Sequence, residues 1–329
     1  MPASQNNLVS VVILNYNNKD FLRACLSSAL ELDWPELEII VVDNASSDGS
    51  PDMVEAEFRG KTRLIRREQN SPTAGRNQGF NAARGAYILS LDNDIVLPDK
   101  TVVRKALSIF ERLPKVALLA FKIGTVENPD VPLPEHWWHP LPIEEGKYRC
   151  FFTDFFSEGA VFFRTEPLRA AGGYDEEFFQ YFEGNDLAFR LIRDGYDLLF
   201  SPDLACGELR IRGFLHQKRT RINYLALRNK IWIVWKHYPA WKGSRYLLGR
   251  IGAAAVRSCL YGWIDLFLKA VKEGVFAPPG IRSQRRLLSK DAWRRIEEIH
   301  RGRFAEDPSI SPLSQVCARA GKYVVLLIM

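Results

Sequence analysis

The first hundred or so residues alternate between short apolar runs and amphipathic segments, and this alternation constrains the fold more than any other feature. The apolar runs predict strands at residues 8–14, 37–42, 63–66 and 86–91. Helices are predicted between them, at about 19–32 and 73–84. Strands that alternate with helices form a mostly parallel sheet with helices on both faces. We therefore predict an α/β fold.

Polar side chains directly follow three of these predicted strands. They are Asn15, Asp43 and the pair Asp92 and Asp94. Parallel sheets bind ligands beyond the carboxyl ends of their strands, so these groups are expected at one edge. Side chains at i and i+2 of an extended segment point the same way, and two carboxylates suit Mg²⁺ or Mn²⁺. The sequence predicts a cation site there, although an Asp-x-Asp can also be a solvated turn.

Two further features of this region have open interpretations. Arg76 could neutralise a phosphate, pair with Asp92 or be an exposed helix arginine. The proline-rich stretch at 124–148 holds His136 and His139, which could ligate a metal from a helix. A tryptophan-rich loop more often packs, and we favour packing. A helix is predicted at about 185–194, where the macrodipole alone would explain an acidic Asp186 near its start.

Composition limits the partners and the compartment. The chain has 329 residues, a net charge of +6 and five scattered cysteines without a Cys-x-x-Cys motif, which argues against disulfides and zinc knuckles. We see neither a signal peptide nor an apolar run of membrane-spanning length, and predict a cytoplasmic protein. The positive charge permits an anionic partner. The basic residues follow no recognised nucleic-acid-binding motif, so we expect no nucleic acid partner.

The region after residue 216 is basic and aromatic and contains a long predicted helix at 246–272. One face of this helix would carry Val256, Leu260, Trp263, Phe267 and Val271. A basic amphipathic helix of this kind can lie on a membrane surface. It can equally pack against the rest of the protein, and both interpretations stay open.

The chain resembles the family 2 glycosyltransferases, inverting enzymes of the GT-A fold, and more narrowly the bacterial rhamnosyltransferase-like members. The resemblance covers about residues 8–238 and rests on six ordered motifs. These are VVILNYN at 11–17, IVVDNASSDGS at 40–50, RNQG at 76–79, LDND at 91–94, GGYDE at 172–176 and YFEGNDLAFR at 181–190. Each motif is weak alone, whereas all six in this order are a specific signal.

The resemblance implies a Rossmann-like, mixed and mostly parallel sheet that binds a nucleotide-sugar at its edge. Asn15 and Asp43 would contact the base and ribose. The implied donor site also includes Tyr16, Arg76, Asp92 and Asn93. Asp94, with Asp92 nearby, would hold Mg²⁺ or Mn²⁺ against the diphosphate, and His216 lies where family members often complete the metal shell.

The sequence departs from the family pattern at the position of the expected general base. Family members usually have Glu-Asp-x-Asp, whereas this chain has Glu183, Gly184, Asn185 and Asp186. Glycine cannot accept the proton of an acceptor hydroxyl. Glu183 is the nearest replacement and Asp186 the second. The third choice is Asp154 or Glu158, and an inactive relative of the family remains an alternative.

These observations predict a catalytic domain at 1–215, with a nucleotide-sugar half at about 1–95 and an acceptor half at about 96–215, followed by a helical extension at 216–329. The predicted activity is inverting transfer of a sugar from a UDP-, dTDP- or GDP-linked donor to a hydroxyl of a glycan or lipid-linked acceptor. The product would be cell-surface polysaccharide or lipopolysaccharide, made in the cytoplasm with or without peripheral contact to the inner membrane. A nucleotidyltransferase is the other alternative, but residues 15–18 lack its Gly-rich phosphate loop.

Overall fold

The structure is a computed structural model that describes residues 7–209 and 219–302, with the side chains of the second segment described from residue 222. The strands are β1 (Val9–Asn15), β2 (Leu37–Asp43), β3 (Arg63–Arg66), β4 (Tyr87–Asp92), β5 (Ile95–Val96), β6 (Val116–Thr125), β7 (Phe151–Thr153), β8 (Ala160–Arg164) and β9 (Asp197–Glu208). The helices are α1 (Lys19–Leu30), α2 (Ser50–Glu57), α3 (Pro72–Ala82), α4 (Val102–Arg112), α5 (Ile143–Gly146), α6 (Thr165–Ala170), α7 (Glu183–Arg193), α8 (Arg219–His237), α9 (Ala240–Leu260), α10 (Ile264–Val275), α11 (Pro279–Ser283) and α12 (Lys290–His300).

Within the described residues, the strands form one mixed sheet in the order β3-β2-β1-β4-β8-β6-β9-β5, with β7 paired to β9. Strands β3, β2, β1 and β4 run parallel, whereas β8 is antiparallel to both β4 and β6. All seven residues of β1 are buried, as expected for a central strand covered on both faces. The predicted α/β fold is confirmed.

Helices cover the sheet on both faces. One hydrophobic core lies between the sheet and α1, α2 and α4, and contains Leu22, Val54 and Phe110. The other lies under α3, α6, α7 and α8 and contains Phe80 and Trp232. Helix α8 therefore packs on the same face as α7, although it follows residue 216. The predicted boundary near residue 215 falls outside the described residues.

Side chains of α8 hold the segment that leads into α7. The amide Nδ2 of Asn229, which is fully buried, lies within 3.1 Å of the carbonyl oxygen of Phe178, 2.8 Å of that of Gln180 and 2.6 Å of that of Tyr181. Buried carbonyl groups need such donors, because leaving them unpaired costs free energy. The start of α7 is thus positioned by a residue of the helix that follows the sheet.

The prediction of one long helix at 246–272 is wrong. The structure has two helices there, α9 and α10, which are separated at Gly262. Gly262 has a φ of +69°, and glycine in this left-handed conformation commonly terminates a helix. The predicted apolar face is split as well, because Trp263 is buried while Leu260 is 72% exposed.

Helix α10 packs on α8, since Phe267 and Val271 join a small core with Ile231. Packing therefore accounts for part of the C-terminal helices. Leu248 and Val256 on α9 are exposed, and the membrane contact of this region stays a prediction. Among the described residues, none of the helices combines the length and apolar character that a membrane span requires.

Candidate active site

The sheet brings the predicted polar residues of β1, β2 and β4 to one edge. Asn15 pairs with Asp43 in the β1–β2 register, and its neighbour Leu14 pairs with Asp92 in the β1–β4 register. The Nδ2 of Asn15 donates to Oδ1 of Asp43 at 2.8 Å, and the Nδ2 of Asn93 donates to Oδ1 of Asn15 at 2.7 Å. Hydrogen bonds therefore link three of the predicted donor-site residues directly.

Asn15 and Asp43 are both part of this hydrogen-bond network. Both side chains are buried, Asn15 completely, and both are engaged with neighbouring protein groups. Their contact with the base and ribose stays a prediction, and in this structure their hydrogen bonds join them to each other and to Ser46. They hold the edge in shape, whereas Tyr16 beside them is 47% exposed.

Arg76 of α3 is a buried partner of the aspartates. Its Nη2 lies 2.5 Å from Oδ1 of Asp92, which excludes the interpretation as an exposed helix arginine. Its Nη1 is buried without a hydrogen-bond partner. Such an unmade hydrogen bond is costly, and polar groups of this kind concentrate at functional sites. The Nη1 group of Arg76 can therefore donate a hydrogen bond to a ligand bound beside Asp92 and Asp94.

Asp94 lies in an excess of negative charge. Burial, together with the charges of Asp92 and Glu208, raises the pKa of Asp94 to about 7. His136 is on the same side of the site, with its Nε2 3.4 Å from Oε1 of Glu208. Burial lowers the pKa of His136, but the contact with Glu208 outweighs it and the pKa is raised overall. This clustering of like charges favours binding of a cation.

The two histidines of the 124–148 stretch do not form a metal pair. His139 donates or accepts at Oγ1 of Thr153, 2.9 Å away, and its ring packs on Phe200 with the centroids 4.8 Å apart. Burial lowers the pKa of His139 to about 3. The ring of Trp137 also packs on Phe200. The expectation that this stretch packs is confirmed for Trp137 and His139. His136 instead lies near Asp94 and Glu208, which together with Asp92 form what we call the acidic edge.

The donor atoms of the edge fit a divalent cation that shares its ligands with a substrate. Asp94 and Asp92 supply two carboxylates, which is what Mg²⁺ usually takes from a protein when phosphates provide the rest. No group of three or more His, Cys, Asp or Glu side chains in the described ranges could hold a metal alone. His216, the third predicted ligand, lies outside those ranges.

A second pair of carboxyl groups, Glu158 and Glu183, lies where β8 meets the start of α7. Burial and the charge of Glu158 raise the pKa of Glu183 to about 8. Burial also raises the pKa of Glu158. The Oε2 of Glu183 is buried without a hydrogen-bond partner, whereas Glu158 is only half-buried. Ionisation of only one of these two carboxyl groups is therefore favoured over ionisation of both.

Asp186 has the opposite surroundings. Its Oδ2 accepts from Nε of Arg190 at 2.8 Å, and its Oδ1 lies 2.7 Å from Nζ of Lys236 and 2.8 Å from Nε2 of His237. Burial raises the pKa of Asp186, but Arg190, His237 and Lys236 together hold it well below its usual range. Lys236 also contacts Asp175 at 2.7 Å.

We call this group the anchor cluster; its members are Asp175, Asp186, Arg190, Lys236 and His237. The candidate role of Asp186 as general base does not fit, because the carboxylate has no exposed surface and is neutralised on both oxygens. Asp154 is also engaged, since Nε2 of His300 lies 2.8 Å from its Oδ2.

Two residues of the site, Glu208 and Lys236, were not predicted from the sequence. Glu208 joins the acidic edge from β9, where it contacts His136, and Lys236 supplies a buried cation from α8. The signal for Lys236 was present, because a charged residue directly after the apolar run 231–235 must find a buried partner or leave the helix.

Comparison with known proteins agrees with this geometry. Residues 10–171 match the family model described as "Glycosyl transferase family 2". This segment is a family 2 glycosyltransferase domain. The domain contains Arg76, Asp92 and Asp94, as well as Glu158, while α7 and the C-terminal helices lie beyond the matched segment.

Relatives of this chain include bacterial proteins. The chain is 38% identical over 216 residues to "Succinoglycan biosynthesis protein ExoO" of Rhizobium meliloti (strain 1021), covering 60% of this chain and 56% of that protein. It is 36% identical over 88 residues to "Putative glycosyltransferase EpsH" of Bacillus subtilis (strain 168), covering 26% of each. The chain thus spans about half or less of the length of these relatives.

Solved structures share the fold. A mannosyltransferase, PcManGT from Pyrobaculum calidifontis in complex with GDP-Man and Mn²⁺, has a TM-score of 0.56 at 18% identity, covering 97% of this chain and 88% of that one. S. aureus TarS 1-349 in complex with UDP-GlcNAc has a TM-score of 0.57 at 20% identity, covering 89% and 91%. The predicted GT-A fold is confirmed.

Proposed function

We propose that this protein is a metal-dependent, inverting glycosyltransferase that moves a sugar from a nucleotide-diphospho-sugar to a hydroxyl group of a glycan or lipid-linked acceptor. One observation carries the proposal. Asp92 ends β4 in contact with the buried guanidinium of Arg76, and Asp94 follows two residues later in an excess of negative charge. A site of this composition suits a diphosphate bound together with a cation.

The residues of the edge have separate tasks in this proposal. Asp94 and Asp92 would hold Mg²⁺ or Mn²⁺, and the bound cation would supply positive charge against the diphosphate. Arg76 keeps Asp92 in position and offers its unpaired Nη1 to a phosphate oxygen. Asn15, Asp43 and Asn93 fix the shape of the edge through their hydrogen bonds.

The names of two relatives support a role in polysaccharide assembly. ExoO is named for succinoglycan biosynthesis. A second relative, 33% identical over 90 residues, is named "Putative teichuronic acid biosynthesis glycosyltransferase TuaG". Both names refer to bacterial cell-surface polymers. We therefore assign this protein to the assembly of a cell-surface polysaccharide, with a catalytic domain at 1–215 and a helical extension at 216–329.

The proposal is tested by thermal denaturation of the full chain with UDP-GlcNAc, GDP-mannose and a dTDP-linked sugar, each with and without Mn²⁺. A ligand that binds only the folded state raises the midpoint, by RT ln(1 + [L]/Kd) in free energy. At least one donor is expected to raise it in the presence of Mn²⁺ and to release its nucleoside diphosphate on incubation.

The alternatives give different results in the same experiment. Binding of a donor without release of nucleoside diphosphate would indicate a catalytically impaired relative. A nucleoside triphosphate that is cleaved to pyrophosphate would indicate a nucleotidyltransferase. A chain that binds none of the donors with Mn²⁺ would contradict the proposal.

A further inference from the structure

We call the edge formed by Asn15, Asp43, Asp92 and Asp94 the donor edge. The start of α7 lies outside this edge, and the proposed binding of the donor gives it no role. Helix α7 begins at Glu183, and its N-cap residue Phe182 provides no side-chain hydrogen bond. The first N–H groups of a helix lack partners within the helix and need acceptors from elsewhere. Here the carboxylate of Glu158, from the turn before β8, accepts a hydrogen bond from the backbone N–H of Gly184.

Glu158 occupies the space that a side chain at position 184 would need. A Cβ atom built on Gly184 would overlap Oε1 of Glu158 and would lie 3.0 Å from its Cδ. It would also lie 3.3 Å from the ring of Phe156. A residue larger than glycine therefore cannot be placed here while Glu158 keeps its position. Glycine at position 184 therefore leaves the space that the Glu158 carboxylate fills.

This carboxylate is also close to the donor edge. Strand β8 pairs with β4, with Ala160 opposite Leu91, and the backbone N–H of Asp92 donates to the carbonyl oxygen of Gly159 at 2.9 Å. Burial lowers the pKa of Arg76, but the charges of Asp92 and Glu158 contribute to raising it overall. Glu158 therefore acts electrostatically on the same guanidinium that holds Asp92.

The other acidic candidates have surroundings that do not suit proton transfer from a bound hydroxyl. Glu183 is buried, and Asp186 is neutralised by Arg190 and Lys236. Asp154 is occupied by His300. Of these four carboxyl groups, Glu158 combines partial exposure, a fixed orientation and a place beside the donor edge.

We infer that Glu158 is the general base of the transfer reaction and takes the place of a side chain at position 184. The inference rests on the proposed transferase function. The acceptor hydroxyl oxygen forms a bond to the anomeric carbon, and the bond from that carbon to the diphosphate oxygen breaks. The electron pair of the broken bond stays on the diphosphate, and the hydroxyl proton moves to the carboxylate of Glu158.

The decisive variant is Glu158→Gln. Glutamine keeps a carbonyl oxygen that can accept from the Gly184 N–H, so the start of α7 retains its acceptor, but glutamine cannot take the proton. A positioned general base contributes roughly 10²–10⁴-fold to the rate. We expect nucleoside diphosphate release from the donor selected above to fall by at least about 100-fold, with the Mn²⁺-dependent shift of the denaturation midpoint unchanged.

A second pair of variants moves the carboxylate between the two positions. Glu158→Ala should lose release of the nucleoside diphosphate, and adding Gly184→Asp to it should recover at least about 10-fold, because the overlap is gone and a carboxylate is present again. The matched control is Glu166→Gln, an exposed residue on α6. It should behave as the unaltered protein.

The outcomes separate this inference from the proposed function. If the unaltered protein binds no donor and releases no diphosphate, the transferase proposal fails. If it is active and Glu158→Gln retains at least a third of that activity, the inference about Glu158 is overturned. A double variant no faster than Glu158→Ala would also overturn it.

Discussion

Two groups of acidic side chains, one buried and the other mostly half-buried, differ in how their charge is balanced. The anchor cluster has two carboxylates with Arg190, Lys236 and His237 around them. The edge and the start of α7 hold five acidic residues, Asp92, Asp94, Glu158, Glu183 and Glu208. Arg76 contacts Asp92, and His136 contacts Glu208.

The difference separates structural acids from functional ones. A compensated carboxylate such as Asp186 stabilises the folded state and has its pKa lowered. An uncompensated carboxylate such as Asp94 or Glu183 has its pKa raised and costs stability when it ionises. Carboxylates that destabilise the folded state in this way are typical of functional sites, where a bound substrate or cation supplies the missing charge. The contrast predicts opposite effects of mutation in the two groups.

The largest effect is expected from Asp186→Asn in the anchor cluster. Removing one partner from a buried ion group leaves uncompensated charge, which typically costs about 3–5 kcal/mol. The denaturation midpoint should fall by more than about 5 °C. The control is Asp194→Asn on the exposed Arg193–Asp194 pair, which should change the free energy of unfolding by less than about 1 kcal/mol. Equal effects of the two variants would contradict the assignment of the anchor cluster as structural.

A smaller effect, on binding alone, is expected from Asp94→Ala. Affinity for a nucleoside diphosphate in the presence of Mn²⁺ should fall by about 100-fold or more, since a metal ligand is lost. The denaturation midpoint without ligand should stay the same or rise, because repulsion with Asp92 and Glu208 is relieved. Calorimetric titration with UDP or GDP measures the first change. Unchanged affinity would show that the cation is held elsewhere.

The smallest effect concerns the pH dependence of stability. The pKa values of Asp94 and Glu183, about 7 and about 8, lie above the values near 4 expected in the unfolded chain. The folded state therefore binds more protons between about pH 4 and 8, so the free energy of unfolding falls as the pH rises through this range. We expect a loss of at least about 1 kcal/mol between pH 5 and 8.5.

Glu183→Gln tests whether the start of α7 contributes to that loss. The variant removes one titrating group, so its stability should fall less steeply with pH than that of the unaltered chain. The anchor cluster has the opposite sign, because Asp186 loses its contribution only when the pH falls below about 4, near its unfolded pKa. A stability profile that rises from pH 5 to 8.5 would contradict the proposed imbalance.

The donor edge could be predicted from the sequence because its signals are local. Buried parallel strands are continuous apolar runs, and the polar residue that ends each run is read directly from the chain, as with Asn15, Asp43 and Asp92. The break between α9 and α10 was missed because a single Gly262 inside an amphipathic pattern does not show which conformation it adopts. The complete burial of Asn15 could not be predicted from its local sequence, because its partners include Asn93, 78 residues away.

The assignment of the acids around α7 could not be made from spacing alone. Asp186 and Glu183 are three residues apart and look alike in the sequence. Their difference comes from Lys236 and His237 on one side and Glu158 on the other, and each contact requires the packed arrangement of α7, α8 and β8. Long-range packing therefore decides which of two neighbouring acids is structural.

The overlap between Glu158 and position 184 has an evolutionary consequence. On the inference above, a relative with aspartate at 184 differs from this sequence at two coupled positions. A side chain at 184 requires the Glu158 carboxylate to move, while loss of Glu158 alone removes the base. We therefore expect the effect of a change at one of these positions to depend on the residue at the other.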